Sequence, residues 1–465
     1  VFNLQVIHGT EYLAKSENNR LNNIPIFAMR GVISDRNDIP LAWNSLSVTN
    51  EKLSLDSLNE LLKQSTSTQP SFATRKYIST PGFGHILGYV SYPKRDNKGN
   101  YYDKEYTGKD GAEEQYQTLL AGKNGLAITE TDARGVAQLG NIVETPQSGA
   151  ALKLGIDSRV QEKLYATISQ LATEHNFMAG AGAIMNVKTG ELLALTSYPD
   201  YDSGILSDGA DRKTIQGYNL DKRSVYLDRA VTGLYTPGSI IKPMMAIAAL
   251  NEGVITPEKK ILSTGSISIQ NPYDPNIKSI FNDWRAQGWV DMRQALSVSS
   301  DVYFYEIGGG YQDQKGIGIT NIEKYARLFG FGALTGVDLA DEKTGTIPSR
   351  DWKAKVFNGE PWRLGDTYHT VIGQYGFQVT LLQAVRAVAA VANSGILVTP
   401  HIVHSATEII NGGEIANTGL LKEFPISHIP IPASYFTVAQ EGMHLAVTDG
   451  TVAGLNVDYV DVAGK

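Results

Sequence analysis

The chain has 465 residues, room for two to four domains at roughly 100–200 residues each. Hydrophobic residues make up 42% and charged residues 19%, a globular balance that excludes a disordered chain. The formal net charge of −7 argues against a nucleic-acid binder, and the absence of cysteine removes disulfides, thiolate zinc sites, cysteine nucleophiles and iron–sulfur clusters together.

The chain starts at Val1 with no signal-peptide pattern, and no apolar run approaches the ~18 residues of a membrane span. An upstream anchor is therefore expected to have been removed. Val32-Ile33 and Leu41-Ala42-Trp43 flank a turn-rich cluster and predict a hairpin. Residues 46–75 predict a helix with Leu53, Leu58, Leu61 and Leu62 as core positions, and 92–126 predict exposed loops around a short helix near 113–120. Composition shifts near Pro146, which predicts a first domain over 1–150 and a second over 151–465. Leu152 to Ile156 alternates like a strand. A helix follows from Ser158, with Ser158-x-x-Gln161 as a capping box and Val160, Leu164, Ile168 and Leu171 as its apolar stripe. Residues 183–187 and 191–195 predict a second hairpin around Lys188-Thr189-Gly190. Strands and helices in blocks predict an α+β fold. Tyr459 to Lys465 reads as a strand that stops inside an element.

The chemistry centres on Tyr235-Thr236-Pro237-Gly238-Ser239-Ile240-Ile241-Lys242-Pro243. Pro243 lacks an N–H and is tolerated only near a helix start, so Ser239 is expected at a helix N-terminus. At a spacing of i, i+3, Ser239 and Lys242 share one face. A desolvated lysine can lose its charge and take the serine proton, and N–H groups at the helix start can stabilise an oxyanion. The same spacing at Ser91 and Lys94 is spoiled by Pro93 in a loop-rich stretch. Ser299-Ser300-Asp301 lies between two apolar segments, as a loop entering a helix. Helix capping and a catalytic role are both open there.

These residues resemble the monofunctional (class B) penicillin-binding proteins, most closely the elongation type. Arg30-Gly31-x-Ile33-x-Asp35-Arg36 resembles the N-terminal hairpin of that family. Gly108-x-x-Gly111-x-Glu113, with Tyr116 and Leu120, resembles its pedestal segment. Thr189 to Ala194 and Ser197-x-Pro199-x-Tyr201-Asp202 resemble the start of its transpeptidase domain. Pro237-Gly238-Ser239-x-x-Lys242 is similar to its nucleophile motif, and Ser299-x-Asp301 to its second motif, with Asp301 where Asn is usual. Gly365-Asp366-Thr367, Gly373-Gln374 and Leu382-Gln383 resemble the stretch before the third motif, Lys-Thr-Gly. Three lysines compete for that motif: Lys188 in a hairpin turn, Lys343 in a predicted loop, and Lys465 after Val462-Ala463-Gly464, which is favoured.

The resemblance implies a β-lactamase-like transpeptidase domain, an antiparallel sheet flanked by helices, preceded by an elongated, mixed pedestal domain. It implies D,D-transpeptidation of peptidoglycan stem peptides on a lipid-linked precursor through an acyl-Ser239. Lys242 would act as base, Ser299 as proton relay, Asp301 and Lys465 at the substrate, and β-lactams as covalent inhibitors. No cofactor is implied. The implied setting is the outer face of the bacterial inner membrane, with a single N-terminal helix and a SEDS-type glycosyltransferase partner. A carboxypeptidase or β-lactam hydrolase, a catalytically weak scaffold that activates the glycosyltransferase, and a role in division stay open. His401 and His404 lack a nearby third ligand and predict no metal site. Trp284 and Trp362 read as groove-lining or core residues.

Overall fold

The structure, a computed structural model, describes residues 21–45, 72–97, 101–131, 137–271, 274–409, 415–417 and 423–465. Most of the helix expected over 46–75, with all four of its leucines, lies outside these residues, and the described end of that stretch is the strand Thr74–Tyr77. Contacts divide the chain into two compact units, one of 1–166, 199–226 and 403–422, the other of 167–198, 227–402 and 423–465.

The first unit is built on a mixed six-stranded sheet in the order 415–417, Val403–Ile409, Ala151–Leu154, Ile33–Ser34, Pro40–Ser45 and Thr74–Tyr77. The N-terminal hairpin forms as expected, with Ile33 opposite Ala42 and both side chains buried. Its turn is closed by Asp35, whose Oδ1 accepts the N–H groups of Asn37 at 2.7 Å and Ile39 at 2.9 Å. Burial pushes this carboxyl up, but hydrogen bonds from Ile39, Ser158 and Asn37 outweigh it and hold Asp35 below the usual carboxylate range. Asp35 Oδ2 accepts the Ser158 hydroxyl at 2.8 Å.

The helix Ser158–Glu174 takes in Ser158 as its first residue, so Ser158 is not the residue preceding the helix that the expected capping box needs; its hydroxyl donates to Asp35, and the Gln161 amide donates to Gly82 O. Leu171, expected in the apolar stripe, is exposed, and the neighbouring Ala172 is buried instead.

Glu113 sits in the short helix Gly111–Gln115 and is completely buried. Its Oε2 lies 2.5 Å from Arg30 Nε and its Oε1 2.7 Å from Arg75 Nε, with no exposure on any of the three side chains. Arg30 Nη2 also donates to the Glu113 carbonyl at 2.8 Å. One carboxylate thus ties together three segments that are far apart in the chain.

The second unit opens with the antiparallel hairpin Gly180–Met185 and Leu192–Tyr198, as expected from sequence. Its core is helical. The helix Lys242–Asn251 is buried from Lys242 to Leu250, apolar on every side, as a central helix must be. Packed on it are the helices Met292–Ser297, Asp301–Gly309, Gly318–Leu328, Leu381–Ala392 and Ala433–Asp449. The helix Leu364–Val371 packs on Asp301–Gly309. Sheets and helices in separate blocks bear out the α+β reading.

The strand expected over Tyr459–Lys465 does not form. Among the described residues no strand runs beside it, so its alternation has no ladder to join. The structure shows only an isolated bridge between Val457 and Val460, and a bond from Gly464 N–H to Met443 O at 3.0 Å.

Removing one partner of a buried ion pair leaves an uncompensated charge. Glu113→Ala is therefore expected to destabilise the first unit by about 3–5 kcal/mol, read as an early, separate transition in denaturant unfolding followed by near-UV circular dichroism. An unchanged first transition would remove Glu113 from this role.

Candidate active site

The turn before Ser239 follows from its residue types. Pro237 has φ −68°, and Gly238, at φ +56°, turns the chain into a single 3₁₀ turn, Gly238–Ile241. The α-helix then starts at Lys242 with Pro243 in its first turn, where its missing N–H leaves no helical bond unmade. Ser239 is half-buried at the mouth of this turn, and Lys242 is wholly buried.

The Lys242 ammonium has three oxygens around it. Nζ donates to Asp301 Oδ1 at 2.6 Å, Ser299 O at 2.9 Å and Ser299 Oγ at 3.3 Å. No hydrogen bond joins it to Ser239. Burial pulls the lysine below its usual range, while the Asp301 and Asp283 carboxylates oppose that pull.

The second motif is a short loop between the helices Met292–Ser297 and Asp301–Gly309. Ser299 has φ +56°, an unfavourable conformation for a side-chain-bearing residue and common at functional sites. The capping role falls to Ser300, whose Oγ accepts the Tyr303 N–H at 3.3 Å. Ser299 and Asp301 are thereby left to face Lys242.

Sequence reasoning missed Asp283. This buried carboxylate accepts at Oδ2 from Ser300 Oγ at 2.7 Å, Ser263 Oγ at 3.1 Å and Val302 N–H at 3.1 Å. It pins both the cap of the Asp301–Gly309 helix and the backbone beside it. The available signal was an Asp-Trp pair closing the strand Asp274–Asn282, which carries no chemical signature by itself.

The third lysine is also placed here. Lys465 Nζ donates to Leu296 O at 2.9 Å, one turn before the second motif. Burial, then the Lys242 charge, push its pKa down to about 7 against the pull of Asp301. Lys188, in the hairpin turn, and Lys343, in a loop, are both exposed, and neither bonds to Ser239, Lys242, Ser299 or Asp301. Ser91 and Lys94, the other serine–lysine pair, sit on two separate strands.

Trp284 is 54% exposed, and its indole N–H donates to Val298 O at 3.0 Å, so it stands beside the second motif and not in the core. Trp362 is partly buried, bonded to Thr367 Oγ1 at 2.8 Å and set edge-on to Tyr375. His401 is buried against Phe424, whereas His404 is exposed. Among the described residues no group of three metal-ligating side chains converges.

A half-buried serine beside a dry lysine, with carboxylate and hydroxyl groups at hand, can carry acyl transfer through a covalent ester. Geometry there depends on Asp283. Asp283→Ala is expected to slow acylation of Ser239 by a fluorescent penicillin by roughly 10²-fold, as a displaced catalytic loop does, measured by stopped flow. A rate within twofold of the parent would dismiss the tie.

Known proteins resemble this chain over most of its length. The penicillin-binding protein transpeptidase domain matches residues 180–465, and the penicillin-binding protein dimerisation domain matches 67–154. Peptidoglycan D,D-transpeptidase MrdA of Escherichia coli K12 is 29% identical over 96% of this chain and 76% of its own length. The protein of the same name from Acinetobacter baumannii is 28% identical over 99% of this chain and 74% of its own. A chain of a peptidoglycan synthase complex superposes with TM-score 0.73 at 26% identity, covering 98% of this chain and 82% of that one. Helicobacter pylori PBP2, in complex with MreC, superposes with TM-score 0.68 at 26% identity over 91% of this chain and 84% of its own. The chain belongs to the penicillin-binding protein transpeptidase family.

Proposed function

We propose that this protein is a peptidoglycan D,D-transpeptidase of cell elongation, acting through an acyl-Ser239. The observation that carries the reading is Lys242: wholly buried one turn from Ser239 and bonded to both members of the second motif. In its neutral form Lys242 accepts the Ser239 proton as Oγ attacks the penultimate D-Ala carbonyl of a stem peptide. The Ser239 N–H at the start of the 3₁₀ turn donates to the oxyanion. Ser299 Oγ, within reach of Lys242, passes the proton on to the departing D-Ala amine. An amine of a second stem then attacks the ester and frees Ser239. Lys465 supplies positive potential for the substrate carboxylate. Asp301, ion-paired with Lys242, favours the charged form of the base in the resting site.

The setting follows the same reading: a membrane-anchored enzyme on the outer face of the bacterial inner membrane, working beside a SEDS-type glycosyltransferase on lipid-linked precursor. Two solved relatives are components of assemblies, a peptidoglycan synthase complex and a PBP2–MreC complex, which supports a partnered enzyme. Among the described residues no helix is long and apolar enough to cross a membrane.

Fluorescent penicillin is expected to label the full-length protein covalently, and Ser239→Ala to abolish the label. Undiminished labelling of that variant defeats the assignment. Incubation with a stem pentapeptide and an acceptor amine then distinguishes cross-linked product from the free tetrapeptide that a carboxypeptidase would release.

The ionisable groups set a pH dependence. Asp301 holds the Lys242 pKa up, so its removal lets burial lower it further. In Asp301→Asn the limb of the acylation profile that rises with pH is therefore expected to move to lower pH. Lys465, pushed down to about 7, loses its charge as pH rises through that value, so initial binding of a carboxylate-bearing β-lactam weakens across neutrality. Stopped-flow acylation from acid to mild alkali checks both, and a shift of the limb to higher pH in Asp301→Asn would contradict the role given to Asp301.

A further inference from the structure

We propose that Gly373 is a positioning residue for the nucleophile, through its carbonyl and through the side chain it lacks. The inference rests on the reading of Ser239 as the nucleophile. The Gly238 N–H donates to Gly373 O at 3.0 Å, so the Pro237–Gly238 peptide, one before that of Ser239, is held from outside its own segment. The approach leaves no room for a methyl group. A Cβ at Gly373 would stand 2.2 Å from Gly238 O and 2.7 Å from Ile241 Cγ2, in the same 3₁₀ turn that carries Ser239. Contacts this short force a shift of the turn, because the nearer neighbour is backbone.

The clamp has a second point. Tyr235 and Val379 exchange both backbone hydrogen bonds at 2.9 Å, so Gly373 and Val379 hold the stretch 235–238 at its two ends. The gripping segment is itself anchored. Gly373 N–H donates to Thr370 O at 3.0 Å, at the end of the helix Leu364–Val371. The start of that helix is fixed by Asp366, which accepts the Arg363 N–H at 2.7 Å and buried Lys353 Nζ at 2.6 Å. A continuous path of contacts thus runs from Lys353 through the helix to the Ser239 turn.

An ordinary helix-ending glycine would explain the positive φ of Gly373, +77°, by itself. It would not explain why the carbonyl is given to Gly238 or why the missing Cβ faces the nucleophile turn. Gly376 separates the two roles. It lies in the same loop at φ +79°, but a Cβ there would meet the Trp352 ring and not the Ser239 turn.

The two roles predict different kinetics. In the full-length protein, Gly373→Ala is expected to lower the limiting acylation rate with a fluorescent penicillin by about 10²-fold, the effect of a sub-ångström to ångström misplacement of a reacting group. The initial binding constant and the position of the pH profile stay unchanged. Gly376→Ala, with similar backbone strain and a similar drop in melting temperature, keeps a limiting rate within twofold. Gly373→Asn, whose side chain tolerates a left-handed backbone but still brings a Cβ, repeats the rate loss and serves where the alanine variant does not fold. A parental rate in either Gly373 variant overturns the proposal, and so does a loss that follows melting temperature equally at both glycines. Since all variants keep Ser239, complete loss of labelling in Ser239→Ala alongside normal rates in both Gly373 variants would reject the clamp and leave the nucleophile assignment standing.

Discussion

An ammonium group has three protons to satisfy, and water cannot reach the one on Lys242. Its partners must come from the protein, and all three come from one loop, Ser299 to Asp301. The helix bearing Lys242 is thereby located against the second motif by hydrogen bonds, and against the rest of the unit by apolar packing from Met244 to Leu250. Ser239 is carried from the same helix start by the 3₁₀ turn, whose Gly238 N–H is held by Gly373 O. Leaving a buried charge unpaired would be far more costly than any single packing defect, so this constraint limits where the loop can lie.

The same device recurs with the sign reversed. Asp35, Glu113, Asp283 and Asp366 each gather donors from segments far apart in sequence. Asp35 joins a hairpin turn to the start of a helix, and Glu113 joins Arg30 to Arg75. Asp283 joins Ser263 to Ser300 and Val302, while Asp366 joins Lys353 to the helix Leu364–Val371. A carboxylate can accept several bonds at once, and charge-assisted bonds to it are stronger than neutral ones. These groups act as joints between elements whose apolar faces alone would allow sliding. Of the two in the second unit, Asp283 stands directly behind the Ser299–Asp301 loop.

Ser239, Lys242, Ser299 and Asp301 were legible in the sequence because their spacing is local: one helical turn in the first pair, one loop in the second. The two hairpins were legible for the same reason. Asp283 was not, since what makes it matter is a partner 17 or more residues away, and Gly373 showed only as part of a family-like stretch, its approach to the Ser239 turn being reached through the fold. The failed expectations have the same origin. Ser158 has the sequence of a cap, but the helix already includes it and its hydroxyl donates to a carboxylate distant in sequence. Tyr459 to Lys465 has the alternation of a strand but no neighbouring strand. The lysine question shows the limit most clearly. Lys343 spells the full motif and stands exposed in a loop, while Lys465 donates to Leu296 O and feels the charges of Lys242 and Asp301.

The three charges of the site also regulate one another. Lys242, Lys465 and Asp301 together would leave a surplus positive charge in a place that water scarcely reaches. Lys465 relieves part of this, because burial and the Lys242 charge push its pKa down to about 7. Asp301 meanwhile favours the charged form of Lys242 through a 2.6 Å contact. An arriving carboxylate favours the protonated form of Lys465. Charge on one lysine works against charge on the other, as the Lys242 charge does on Lys465. Asp301 is the opposite charge in contact with Lys242, and an asparagine in its place would leave that lysine with less to hold its proton against burial.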